Sequence, residues 1–139
     1  MQKVMKMILT MLLLLLPSMM TAQSVQNSNH STVGYVRNGT VENSNHSTIG
    51  YIRQDGTVEN SNHSTIGYIR QDGTVQNSNH STIGYVRSDG TVLNSNHSTI
   101  GYIRSDGRIE NSNHSTIGYA KDMDQKHAAA LLFFFGFLK

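Results

Sequence analysis

Two ring-bearing residues recur along this chain where they could do chemistry. His30, His46, His63, His80, His97 and His114 lie in six copies of Asn-Ser-Asn-His-Ser-Thr. Tyr35, Tyr51, Tyr68, Tyr85, Tyr102 and Tyr119 lie in six copies of Gly-Tyr. Imidazole is a common metal ligand, so six histidines on a closed array form a candidate metal ring. A zinc site, however, needs nitrogens converging at about 2.0–2.1 Å on one centre, and identical positions on separate units need not converge. The competing reading is a corner, because Asn and Ser bond their own backbone at turns. The tyrosines share a face with an arginine series and could stack on a repetitive glycan. The competing reading there is packing, with the arginines as cation–π neighbours. Asn29-His30-Ser31 and its copies also spell N-glycosylation sequons, which matter only in a eukaryotic secretory pathway; turn-forming Asn is the better reading.

Catalytic machinery is not visible. A serine adjoins the histidine in every copy, but sequence adjacency does not make a proton relay. The acids are turn Asp and strand Glu rather than a carboxylate pair in a pocket. The chain therefore reads as non-enzymatic and without a cofactor.

What must position these residues is the repeat itself. The hexapeptide starts at Asn27, Asn43, Asn60, Asn77, Asn94 and Asn111, so the spacing is 16 once and then 17. Between copies, two short β-prone runs flank an Asp-Gly, a strong hairpin signal. The one short unit has Asn38-Gly39 where the others have a triplet such as Gln54-Asp55-Gly56. A two-residue turn pairs Arg37 with Thr40 and Val36 with Val41. A three-residue loop with a left-handed Gly pairs Arg53 with Thr57 and Ile52 with Val58. Both give the same register, so the deletion is absorbed in the turn.

Alternation assigns Thr65, Gly67, Ile69 and Val75 to one face, and Ile66, Tyr68 and Arg70 to the other. Gly67 leaves room for a backbone or a Tyr ring to approach. A lone hairpin is marginal in water, so the copies must bury one another. Ser24-Val25-Gln26-Asn27 is the second half of a unit, and residues 116–121 are the first half of one. If these halves pair, the array closes into a ring of six with no free edge. The fold class expected is all-β: a closed, pseudo-symmetric array of hairpins with a short C-terminal helix.

Residues 1–22 have the layout of a secretory signal peptide. Lys3 and Lys6 precede an apolar run at 8–16, and cleavage is expected after Ala22. That run is well short of the roughly 20 residues that span a bilayer. Without Lys3 and Lys6, nine basic residues face nine acidic ones. With no basic cluster, nucleic acid is excluded as a partner. There is no Cys, so neither disulfides nor thiolate metal sites are available. Residues 23–121 form the repeat domain and 122–139 an apolar tail. Asp122 or Asp124 is placed to cap a helix there, and the tail is expected to form a plug over the ring or to lie at an interface.

The units Ser-Thr-Ile-Gly-Tyr-Ile-Arg-x-Asp-Gly-Thr-Val, the Ala22/Gln23 junction and Phe133-Phe134-Phe135 together resemble the bacterial beta-flower proteins, four- or five-fold. That resemblance covers nearly all of the chain after the leader. It implies hairpin petals around an axis and a closed β fold, and it implies no activity. The reading that follows is an exported scaffold or binding module, periplasmic or extracellular. The alternatives are a self-assembling fibre of stacked units and a binder of glycan or cell-wall polymer through the Tyr/Arg face. The partner is then such a glycan or the chain itself.

Overall fold

In a computed structural model, residues 22–138 are described; of the residues read as a leader, all but Ala22 lie outside them. Twelve short antiparallel strands close into one barrel. They are β1 (Gln23–Asn27), β2 (Thr32–Arg37), β3 (Thr40–Asn43), β4 (Thr48–Ile52), β5 (Thr57–Asn60), β6 (Thr65–Ile69), β7 (Thr74–Asn77), β8 (Thr82–Val86), β9 (Thr91–Asn94), β10 (Thr99–Ile103), β11 (Arg108–Asn111) and β12 (Thr116–Tyr119). The expected register holds in both loop types. Val36 pairs with Val41 across Asn38-Gly39, and Ile52 pairs with Val58 across the longer loop. Asn38 and Gly39 both have positive φ, as a two-residue primed turn requires, whereas the longer loops place only Gly there.

The half-units at the two ends of the repeat region do pair. Gln26 faces Tyr119 and Asn27 faces Gly118, which completes a sixth petal from opposite ends of the chain. Gln23 Nε2 donates to the Asp122 carbonyl at 2.6 Å and ties the same junction. Elsewhere each Gly of an Asp-Gly turn offers its carbonyl to the next petal, as in Val86 N–H to Gly73 O at 2.8 Å. A side chain at Gly73 would collide with the carbonyl oxygen of that same residue, Val86, so the turn glycine serves the neighbouring petal as well as its own loop.

The inward positions form two tiers. Val25, Val41, Val58, Val75, Val92 and Ile109 are fully buried, one per petal. Val36, Ile52, Ile69, Val86, Ile103 and Ala120 form the second tier beside them. Twelve strands enclose more space than these residues fill, and the C-terminal tail occupies the axis. Asp124, not Asp122, caps α1 (Gln125–Ala129), accepting from Lys126 N–H at 2.8 Å. Asp122 instead takes a left-handed φ of 61° where the chain turns inward. Ala128, Ala129, Ala130 and Leu131 are fully buried; small residues are what lets a helix backbone fit inside the ring. A single π-helical turn (Ala130–Phe134) follows, closed by Phe135 N–H to Ala130 O at 2.9 Å. The tail is thus a plug inside the ring rather than over it. Among the described residues no helix is long and apolar enough to cross a membrane.

Two sequence expectations are sharpened or corrected here. The close approach at Gly67 is made by backbone, the Gln76 carbonyl, as one alternative had it, and by Phe135 of the tail in place of a Tyr ring. The same rule runs around the ring. Phe133 lies against Gly101, Phe134 against Gly84, Phe137 against Gly50 and Leu138 against Gly34. Nothing local to the repeat encodes those rings. The second correction concerns Ile66, which does not share the Tyr face but packs against the core. Val58 pairs with Gly67 and Glu59 with Thr65, so Ile66 is the extra residue of a β-bulge. A bulge turns its extra side chain out of strict alternation. Of the six described glycines that precede a Tyr, Gly118 alone meets no tail side chain, its neighbours being Gln26 and Asn27 backbone; Ile117 beside it is 41% exposed.

Candidate functional site

Each corner between petals begins with an Asn that builds it. Asn60 Oδ1 accepts from the backbone N–H of Asn62 at 2.9 Å and of Ser64 at 3.0 Å. His63 N–H closes the turn onto the Asn60 carbonyl at 3.0 Å. That geometry forces His63 to a φ of 65°, and all six corner histidines share it. A non-glycine residue there is uncommon and is held by its surroundings. The holding partner is the tyrosine of the same petal. His63 stacks on Tyr51 with ring centroids 4.3 Å apart and 16° between planes.

The stack recurs six times. His46 lies on Tyr35, His80 on Tyr68, His97 on Tyr85 and His114 on Tyr102. His30 lies on Tyr119, so the sixth pair is assembled from the two ends of the ring at 4.2 Å. The structure therefore joins the two residue series pairwise and does not gather either one. The histidines are spread around the circumference, and among the described residues no three His, Cys, Asp or Glu side chains are grouped to hold a metal. The tyrosine faces are already engaged: His covers one, and Arg53, Arg70 and Arg104 lie over Tyr51, Tyr68 and Tyr102 at 5.1–5.9 Å.

A third element completes the corner, and sequence reasoning missed it. Four residues before each histidine, the second strand of the petal carries Glu or Gln in five units. Glu59 Oε1 accepts from Arg53 Nη2 at 2.8 Å and lies 3.2 Å from His63 Nδ1. Glu42–His46 and Glu110–His114 repeat the contact at 3.1 and 3.3 Å. Gln76 takes the acid's place beside Arg70 and His80. The fifth unit has Leu93 there, buried to 3% exposure. The constant Glu/Gln-to-His spacing of four was the signal available in the sequence.

The charges follow from this geometry. Hydrogen bonds from Arg53 and then His63 hold the Glu59 carboxyl below its ordinary value of 4.5. At Glu110 burial pushes the value up, but Arg104, His114 and Arg108 together outweigh it and the net shift is downward. In the tail, burial lowers the His127 pKa from 6.5. The signs then set a pH dependence. A lowered His pKa means the unfolded chain takes up the proton first, so stability is present above pH 6.5 and declines as pH falls below it. The lowered Glu values add a second decline below pH 4.5. Melting temperature measured from pH 8 to 3 should fall in these two stages, and His127→Gln should remove the first. A single stage in both proteins would contradict the assignment.

Chemically, the corners can offer amides, hydroxyls, an imidazole edge and a guanidinium. At the His63 corner neither serine engages the histidine: His63 lies flat on Tyr51, and its Nδ1 faces the Glu59 carboxylate. No curated protein and no solved structure matches the chain. The family model described as 5-fold beta-flower protein matches residues 22–138, the whole ring together with its plug. The chain therefore belongs to the beta-flower family, with six petals around its axis.

Proposed function

We propose that this is an exported, non-enzymatic ring scaffold that acts as a binding module. The observation that carries the reading is the six-fold repetition of an outward Tyr–His corner on a closed frame. Repeated identical surface suits multivalent contact, where several weak contacts add up to useful avidity. All six imidazoles are stacked on tyrosine and three of them also face a carboxylate, which favours binding over chemistry. Export rests on the leader at 1–22, and places the module in the periplasm or outside the cell.

Ring closure bears on the fibre alternative. β1 and β12 satisfy each other, so neither offers a long free edge to a second copy. A polymer stacking on the Tyr/Arg face would have to displace the histidine or arginine already covering the rings. Export is tested by fractionating expressing cells and reading the N-terminus of the protein by mass spectrometry. A chain starting at Gln23 in the periplasm or medium is expected. A cytoplasmic chain that retains Met1 would sink the reading.

A further inference from the structure

Six copies of one unit give the chain its own internal comparison. The copies have drifted, so identity by recent duplication does not explain what has stayed constant. Inward positions exchange Val, Ile and Ala, and the position opposite Tyr reads Glu, Gln or Leu. Thr at 40, 57, 74 and 91 becomes Arg at 108. The Asp-Gly turn varies in residue, with Gln54 and Ser88 at one position, and even in length. The other turn, Asn-Ser-Asn-His-Ser-Thr, varies at no position in six copies.

The fold accounts for part of that constancy. The first Asn caps the corner and His stacks on Tyr. It does not account for Ser61, Asn62 and Ser64 or their counterparts. These residues are exposed in all six corners. Their side chains make no hydrogen bond among the described residues, whose side-chain bonds at the corners all belong to the first Asn and the His. Turn positions of this kind tolerate several small polar residues, as the Asp-Gly end demonstrates. A constant, exposed, unpartnered side chain points to a ligand outside the chain.

The chemistry of the crown narrows that ligand. No Asp, Glu, Lys or Arg occurs in any of the six segments. The segments themselves present only amides, hydroxyls and imidazoles, which suit uncharged polar groups, and the arginines that reach His63 and His114, Arg53 and Arg104, are already paired with Glu59 and Glu110. Nucleic acid would need cations to displace its counterions. A bilayer interior would leave the amides and hydroxyls without partners. The same mouth has an aromatic floor. Gly50 and Gly67 pair with the corner residues Asn60 and Asn77, and Phe137 and Phe135 lie on those glycines. These rings and Phe133 and Phe134 are only partly buried. A ring of hydroxyl and amide groups around partly exposed aromatic side chains matches a sugar chain, which carries hydroxyls at its edge and C–H on its faces.

We propose that the six corners form a crown that binds neutral polysaccharide at this mouth of the barrel. The proposal rests on the binding-module reading and moves its site from the tyrosine faces to Asn62, Ser64 and their counterparts.

The test is affinity electrophoresis of the protein as isolated, through gels containing dextran, mannan, a mixed-linkage β-glucan or anionic alginate. Retardation by at least one neutral polymer is expected, unchanged between about 0.1 and about 1 M salt because no ion pair is involved. Asn62→Ala together with the same change at its five counterparts should weaken it by at least about ten-fold, as expected when all six contacts are lost at once, with an unchanged melting temperature. Should that variant misfold, the six-fold Ser64→Ala series serves in its place with the same expectation. Retardation by alginate alone, loss of retardation in salt, or equal retardation of wild type and variant would each overturn the proposal. So would the absence of retardation in every gel. If the crown instead captured a protein partner that the variant loses, the binding-module reading would stand and the polysaccharide would fall.

Discussion

Truncation after Lys121 should leave a chain that does not form the ring. The segment removed carries Leu131 and Leu138, which are 0 and 3% exposed, and four partly buried phenylalanines. Burial of a large apolar side chain contributes roughly 1.5–3 kcal/mol, less when it is partial. Six such residues come to about 10 kcal/mol, which is the size of the whole net stability of a typical domain. The loss extends further, because Val41, Val58 and the other inward residues would face water along the emptied axis. With no disulfide to hold the petals, nothing else offsets it. Near-ultraviolet circular dichroism reads the result directly, since the six tyrosines sit in ordered stacks. A truncated chain with the native tyrosine signal and an unchanged melting temperature would show that the plug is not the core.

The second large effect is expected at the points where plug and petal meet. A methyl group on Gly84 would collide with the Phe134 ring and come within 2.5 Å of the Leu93 carbonyl oxygen. The ring can move only by displacing other plug residues, and the carbonyl is fixed by the strand. Gly84→Ala should therefore cost at least about 3 kcal/mol, the range of severe overpacking. Phe134→Ala alone should cost about 3 kcal/mol through the cavity it leaves. The double variant should cost less than the sum by 1 kcal/mol or more, because removing the ring relieves part of the clash. Chemical denaturation of the four proteins measures this cycle. Strict additivity would mean that Gly84 and Phe134 are not in contact.

Much of this architecture is legible in the residues because it is local and repeated. The single 16-residue spacing places the deletion in a turn, so strand pairing follows from counting. Complementary half-units at 24–27 and 116–121 imply closure for the same reason: hydrogen-bond register is a short-range property that each hairpin sets for itself. The bulge at Ile66 was not legible, since it arises where one petal's strand meets the next and not within a unit. The Tyr–His pairing was partly legible. Its period is visible, but the two rings are brought together by the left-handed turn at His63, and both Asn and His tolerate a backbone angle of that kind, so the hexapeptide does not say which of them adopts it.

By itself, then, the sequence determined the hairpin, its register, the number of petals and the complementarity of the ring's ends. Only the tertiary structure decided what fills the axis. The glycines at 34, 50, 67, 84 and 101 and the tail residues Leu138, Phe137, Phe135, Phe134 and Phe133 meet in that order, yet they lie dozens of residues apart and share no pattern. Closing the ring creates the space and the tail fills it, and neither half of that fit is expressed in any local stretch of chain.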